Sequence, residues 1–110
     1  MKLTFQYVPS PDLSAAVAFY GEVLGLDEAW REDDGTVAFW APDRSVQLMV
    51  ATTDQPAGPM YLVDDAAAWA AAHAGVPVRV PSYPIPGGTV AGFADPNGNV
   101  FYVFDQRQRR

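Results

Sequence analysis

A four-residue segment, Gly-Thr-Val-Ala, occurs twice in the chain, at residues 35–38 and at residues 88–91. Each copy leads into an aromatic residue, a proline-containing turn and a last apolar strand candidate. Because both copies lie in register with a longer repeated order of strands and helices, we interpret them as an internal duplication. With 110 residues, the chain has room for about one domain. The duplication therefore predicts two similar modules within a single domain.

The first predicted module covers about residues 1–52. Alternating residues over 3–7 predict a strand. Apolar residues at spacings of three and four over 13–24 predict an amphipathic helix, which Asp12 caps and Gly25 ends. Three further strands, separated by hairpin signals at 33–35 and 42–44, are predicted at residues 27–31, 36–40 and 45–51.

The second predicted module covers about residues 58–105 and repeats this order. Residues 60–63 predict a strand, and a short helix follows that Asp64 or Asp65 caps and Gly75 ends. The remaining predicted strands are residues 78–80, 89–94 and 100–104.

The single domain is expected to span residues 1–106, and residues 107–110 to form a flexible, solvated tail. Seven Lys and Arg against 13 Asp and Glu give a net charge of −6, which is the wrong sign for binding nucleic acid or an anionic membrane. There is no cysteine and no apolar run of about 18 residues. These features predict a cytoplasmic protein without disulfides, thiolate chemistry or membrane spans.

Two segments within the repeated order, FYGEVLGL at residues 19–26 and FADPNGNVFYV at residues 93–103, resemble the vicinal oxygen chelate superfamily. This superfamily includes glyoxalases, extradiol dioxygenases and the bleomycin-resistance binding proteins. The resemblance covers residues 3–105. It implies an α+β fold in which two tandem βαβββ modules form a curved, mixed-sheet cup. Members commonly build the cup from paired modules, within one chain or across a dimer, so we expect a homodimer.

In metal-using members of this superfamily, two strands of each module supply one metal ligand apiece. Carried over to this chain, these positions are Phe5, Gln47, Gly58 and Tyr102, and only Gln47 has a side chain that could ligate a metal. The single histidine, His73, falls in the last turn of the second helix, where the helix dipole favours a cation. We therefore expect neither a metal nor another cofactor.

If Phe5 and Gln47 point into the cup, as the resemblance implies, strand alternation predicts which other side chains line it. Pairing of Trp40 with Ser45 would place Trp40 on the cup side and Phe39 in the core, with Trp30 near the rim. The predicted ligand-binding residues are Phe5, Tyr7, Trp40, Gln47, Met49, Met60, Tyr102 and Phe104. Rings and thioethers with few titratable groups are typical of a pocket for flat apolar molecules. The alternative is that these rings pack against another module as ordinary core.

These residues favour a metal-free binding protein similar to the antibiotic-resistance branch, with no catalytic residue. It would sequester a planar hydrophobic, possibly cationic, small molecule such as an antibiotic between Trp40 and Tyr102. The acidic surface would attract a cation. One alternative is a metal-independent enzyme of the superfamily that uses Tyr7 or Tyr102 as an acid or hydrogen-bond donor. Metal-dependent chemistry and a regulatory or structural role are further alternatives.

Overall fold

The computed structural model of the protein describes residues 1–32 and 35–107. Asp33 and Asp34, which belong to one predicted hairpin turn, and the tail residues 108–110 lie outside the described part of the chain. Within that part, no helix has the length and apolar character needed to cross a membrane.

Both predicted modules are present, each with the order strand, helix, strand, strand, strand, so the chain has the expected α+β fold of two tandem βαβββ modules. They correspond to two compact units, residues 4–57 and the chain from Gly58 onward, and residues 1–3 group with the second unit. The first module contains β1 (Lys2–Pro9), α1 (Leu13–Ala18), β2 (Glu28–Glu32), β3 (Thr36–Trp40) and β4 (Gln47–Ala51). The second contains β5 (Gly58–Leu62), α2 (Ala66–Ala72), β6 (Val78–Ile85), β7 (Gly88–Ala94) and β8 (Val100–Phe104).

The first helix begins as predicted. The Asp12 carboxylate accepts a hydrogen bond from the backbone N–H of Ala15 at 3.0 Å. The predicted helix extends to Leu24, but its α-helical part is shorter, because Phe19–Val23 continues α1 as a π-helical turn. Gly25 follows at φ +69°, in the left-handed conformation that ends helices.

In the first unit, the sheet has the strand order β2-β3-β4-β1, with β1 parallel to β4 and the other pairs antiparallel. The helix covers one face of this sheet, where Val37, Phe39 and Val50 form a buried core cluster. Apolar side chains that pack on this cluster from the helical segment are Leu13, Ala16, Val17 and Tyr20. We call the other side of this sheet, turned away from α1, the distal face.

The pairing of β3 with β4 differs from the prediction. Trp40 lies opposite Gln47 rather than Ser45. The turn is longer than expected because the Asp43 carboxylate accepts hydrogen bonds from the backbone N–H of Ser45 at 3.0 Å and from its hydroxyl at 2.7 Å. These bonds, which also lower the pKa of Asp43, hold Ser45 in the turn. Since the shift is two residues, the predicted side of Trp40 is unchanged.

The second unit has the strand order β5-β8-β7-β6, again with one parallel pair, β5 and β8. Strand β6 runs to Ile85 and is longer than the predicted segment 78–80. Pro81 and Pro84 are compatible with this because β6 is an edge strand and its pairing with β7 is interrupted by irregularities.

Helix α2 covers one face of the second sheet, where Ala66, Phe93 and Val103 form its buried core cluster. Trp69 packs on this cluster, and the His73 ring stacks on Trp69 with centroids 4.1 Å apart. The Nδ1 atom of His73 lies 2.7 Å from the backbone carbonyl oxygen of Trp69. His73 is thus the C-cap residue of α2, at the helix end where the sequence places it.

The cap of α2 is Asp65 rather than Asp64, and its carboxylate accepts a hydrogen bond from the backbone N–H of Ala68 at 3.0 Å. The helix ends at Ala72, slightly earlier than predicted. Arg107, the first residue of the predicted tail, forms an ion pair with Asp65 at 3.4 Å between partly exposed side chains.

The conspicuous sequence from Asp95 to Asn99 forms the turn between β7 and β8. The Asp95 carboxylate accepts hydrogen bonds from the backbone N–H groups of Asn97 and Asn99, at 2.9 and 2.8 Å. It also accepts one from the Asn99 side-chain amide at 3.0 Å, and this bond is the main reason why the pKa of Asp95 is lowered. Gly98 supplies the positive φ of +85° that the turn needs. The motif therefore has a structural role.

A buried carboxylate joins α2 to the sheet. Asp105, only 4% exposed, accepts hydrogen bonds from the backbone N–H groups of Ala66 at 2.6 Å and Thr89 at 3.1 Å. Gly88 lies so close to Asp105 that a Cβ atom would collide with the Asp105 backbone carbonyl. The start of α2, the start of β7 and the end of β8 therefore meet at this carboxylate.

We expect Asp105→Ala to lower the free energy of unfolding by about 2–3 kcal/mol, because two backbone donors lose a buried acceptor. Urea unfolding followed by circular dichroism measures the change. Asp64→Ala is the matched control, since Asp64 is exposed and adjoins the same helix. Equal stability losses in the two variants would contradict a bridging role for Asp105.

Candidate functional site

The distal face of the first sheet carries four of the eight predicted ligand-binding residues on two neighbouring strands. Phe5 lies opposite Gln47, and Tyr7 lies opposite Met49, in the parallel pair of β1 and β4. Paired residues project to the same side of a sheet, so these four side chains share the distal face. Phe5, Gln47 and Met49 are half-buried, whereas Tyr7 is buried. The structure thus brings this part of the predicted site together.

Trp30, which was expected only near the rim, also belongs to this face. It lies opposite Ala38 in the pair of β2 and β3. Its indole Nε1–H donates a hydrogen bond to the Oε1 atom of Gln47 at 2.8 Å. Its ring meets the ring of Phe5 edge to face, with centroids 6.1 Å apart and an interplanar angle of 89°. We call Phe5, Trp30 and Gln47 the indole–amide cluster.

The sequence did not identify Trp30 as a site residue because the length of the hairpin between β2 and β3 was open. A strand at residues 27–31 assigns alternating faces but does not say which face meets the distal side. The observed pairing of Glu32 with Thr36 settles this, since it places every second residue of β2 on one side. One signal in the sequence could have pointed to Trp30 as a site residue: it is an aromatic residue within a short strand that is otherwise mostly polar.

Trp40 lies on β3 opposite Gln47, and its ring is covered by a cation. The guanidinium carbon of Arg44 lies 5.5 Å from the centre of the Trp40 ring, which is within the range of a cation–π contact. Arg44 is in turn held by an ion pair with Asp27 at 2.6 Å. A groove of about 280 Å³ adjoins these residues, lined also by Leu24, Gly25, Leu26, Ala41 and Pro42. Trp40 therefore presents a ring face that accepts positive charge.

The three predicted residues of the second module lie on the face of its sheet turned away from α2. Met60 pairs with Tyr102, and Phe104 pairs with Leu62. Met60, Tyr102 and Phe104 are buried, with Tyr102 only 1% exposed. Their rings and thioether are already covered by protein atoms, as in the packing alternative that the sequence left open.

The pairing of strands corrects one of the positions carried over from metal-using members. Tyr102 lies opposite Met60, just as Gln47 lies opposite Phe5, so Met60 rather than Gly58 is the counterpart of Phe5. The difference arises because β5 continues for fewer residues beyond Met60 than β1 does beyond Phe5, so counting back from the helix cap overshoots Met60 in the second module.

The corrected set does not fit a metal site. Phe5, Met60 and Tyr102 include no imidazole or carboxylate, and the carbonyl oxygen of Gln47 is already engaged by an indole N–H. In the described part of the chain, no group of three or more His, Cys, Asp or Glu side chains could hold a metal ion. The half-buried residues of the predicted site on the distal face offer aromatic contact, a thioether and hydrogen bonding by one amide, whereas the phenol of Tyr7 is buried.

Comparison with known proteins supports the fold. A family model described as Glyoxalase/Bleomycin resistance protein/Dioxygenase superfamily matches residues 4–103. The solved structure of an NAD-dependent benzaldehyde dehydrogenase from Legionella pneumophila is similar at a TM-score of 0.72 and 11% identity, over 93% of this chain and 97% of that chain. A glyoxalase/bleomycin resistance protein/dioxygenase superfamily member from Vibrio splendidus 12B01 is similar at a TM-score of 0.61 and 18% identity, over 92% and 95%. At such identities, these likenesses show the fold alone.

The antibiotic binding protein TnmS3 from Streptomyces sp. CB03234 is 25% identical over 96% of both chains, with a TM-score of 0.43. That score is too low for a comparison of the two binding faces. Among curated proteins, none matches the sequence.

Neighbouring aromatic residues on β3 allow a direct test of which face is core. Phe39→Ala should lower the free energy of unfolding by about 3–5 kcal/mol, because Phe39 is buried beneath α1. Trp40→Ala should cost only about 1–2 kcal/mol, since its side chain is half-buried. Thermal and urea unfolding of both variants measure the difference. A loss for Trp40→Ala as large as that for Phe39→Ala would make Trp40 a core residue.

Proposed function

Because the chain belongs to the Glyoxalase/Bleomycin resistance protein/Dioxygenase superfamily, we propose that it uses the distal face of its first sheet to bind a planar hydrophobic small molecule. Binding on this face needs no metal, and the ligand is an antibiotic or a metabolite of similar shape. The half-buried side chains that contact it are Phe5, Trp30, Trp40, Gln47 and Met49.

The observation that carries this proposal is the indole–amide cluster. Two aromatic rings and one amide lie within contact distance on the face opposite the one that α1 covers. A flat ligand gains from such a surface by burying ring area and by stacking, while the amide fixes its orientation. Met49, on the neighbouring strand position, has the flexible thioether that adapts to different ligand shapes.

A positive charge on the ligand is supported by the surroundings of Trp40. The ring already accepts one cation, the Arg44 guanidinium, and a cationic ligand that displaces Arg44 would also meet the Asp27 carboxylate that now pairs with it. The net charge of −6 adds a long-range attraction for cations. A ligand that combines a flat ring system with a positive group therefore matches both the ring and the charge.

The contribution of the second module stays a prediction. Tyr102 is 1% exposed, so its ring would first have to be uncovered before a ligand could stack on it. The ring of Trp40 is half-buried, and the Arg44 side chain that lies over it is exposed and can move aside more readily. We therefore assign the main stacking contact to Trp40.

The proposal predicts that the protein binds proflavine, a planar aromatic cation, and does not bind cyclohexylammonium, a non-planar cation of the same charge. Trp40→Ala should weaken proflavine binding by at least about thirtyfold, as expected for the loss of a central aromatic anchor. Phe19→Ala is the matched control, since Phe19 is an exposed aromatic residue on the helical segment. Fluorescence titration measures both affinities.

The same titration with a chelator present tests the metal independence of binding. An unchanged affinity is expected, because the corrected superfamily positions include no imidazole, carboxylate or thiolate. Equal binding of the planar and non-planar cations, or loss of binding in the chelator, would contradict the proposed function.

We also propose that the protein is a homodimer. Strands β2 and β6 are edge strands, and an edge strand exposes unpaired backbone groups that a second copy can cover. Light scattering on a sizing column at micromolar protein should give a mass of about twice the 11.9 kDa of one chain. A mass equal to that of one chain at this concentration would contradict the proposed homodimer.

A further inference from the structure

The contact between Trp30 and Gln47 determines which end of the amide is available to a ligand. An indole N–H can only donate a hydrogen bond, so its partner at 2.8 Å must be the carbonyl oxygen of the Gln47 amide. The amide nitrogen of Gln47 carries two N–H donors and no acceptor, so it could not pair with the indole N–H. Trp30 thus uses one lone pair of the oxygen and fixes the orientation of the amide, with the N–H₂ group of Gln47 turned away from the indole N–H and able to donate to other molecules.

The other member of the indole–amide cluster adds no polar group. Phe5 contributes an aromatic edge against the Trp30 ring, and the Trp30 N–H is used by Gln47. The N–H donors that the cluster can offer to a ligand are therefore those of the Gln47 amide nitrogen. A surface of this kind is complementary to a flat molecule with an acceptor atom in the plane of its rings.

We propose that Trp30 is a specificity-determining residue that orients Gln47 to donate a hydrogen bond to a planar aromatic ketone or quinone. This inference rests on the proposed function and narrows the ligand class of the same face. Trp30 acts through Gln47 and is in that respect a positioning residue. Without its indole N–H, the amide of Gln47 could turn over and offer its oxygen instead.

The orientation also disfavours other ligands. A flat molecule that presents an N–H or O–H donor at this position would face the N–H₂ group of Gln47, and both donors would lose the water that they had before binding. A flat hydrocarbon would bury the N–H₂ group without giving it a partner. Discrimination therefore comes from unpaired groups in the wrong complexes as well as from the hydrogen bond in the right one.

The test compares 9-fluorenone with fluorene, which share the same flat ring system and differ by one carbonyl oxygen. Equilibrium dialysis of the full-length protein with each probe gives the ratio of the two affinities. We expect wild-type protein to bind 9-fluorenone about fivefold more tightly than fluorene, which is the effect of one neutral hydrogen bond.

Three variants locate the origin of this preference. Gln47→Met removes the donor at similar volume and should reduce the ratio to about one, because no donor is left to pair with the carbonyl oxygen. Trp30→Phe keeps an aromatic ring but removes the N–H, and should reduce the ratio to about two, because the amide is then free to turn over. Trp69→Phe, which alters a tryptophan on α2, is the matched control and should leave the ratio unchanged. Thermal melts of each variant verify that it is folded.

Each outcome decides between the two proposals. If wild-type protein binds both probes equally well, the ketone preference is overturned while binding of planar molecules stands. If Trp30→Phe keeps the wild-type ratio, Trp30 does not orient the amide, and the inference fails. If neither probe binds, the proposed function fails together with the inference that rests on it.

Discussion

The parallel pairing of β1 with β4 is the constraint on which the arrangement of the first unit depends. It sets Phe5 opposite Gln47 and, through strand alternation, sends Val50 to the opposite side. A slip of one residue would exchange the two faces, placing Gln47 under α1 and a core valine on the distal face. Burial of Val37, Phe39 and Val50 beneath the helix makes such a slip costly, so packing on one face maintains the composition of the other.

Strand and helix identity could be predicted because alternation, caps and the repeat act locally. Asp12 caps α1 and the alternation of β3 divides Phe39 from Trp40, as the sequence indicated. Strand pairing was less accessible because it depends on turn chemistry. The Asp43 carboxylate accepts hydrogen bonds from Ser45 and thereby lengthens the turn between β3 and β4. The spacing of turn residues alone does not reveal this.

The candidate site was predictable in part. The superfamily resemblance supplied Phe5 and Gln47, and alternation within their strands added Tyr7 and Met49. Trp30 required the pairing of β2 with β3, which no local pattern specifies. The burial of Tyr102 was equally inaccessible, since alternation assigns a side chain to a face but not the amount of protein that covers it. The sequence therefore predicted which residues share a face, and the structure shows which of them are half-buried and which are buried.

One hydrogen bond explains how a position that resembles a metal-ligand position can serve a different chemistry. A glutamine can bind a cation only through its carbonyl oxygen, and in this chain Trp30 occupies that oxygen. In the proposed site, the same contact turns the nitrogen end of Gln47 towards the ligand, so the position acts as a donor. Phe5, opposite Gln47, adds ring area where a second metal ligand would be required. The two neighbouring positions therefore supply a ring and an amide donor, which suit a flat ligand better than they suit a cation.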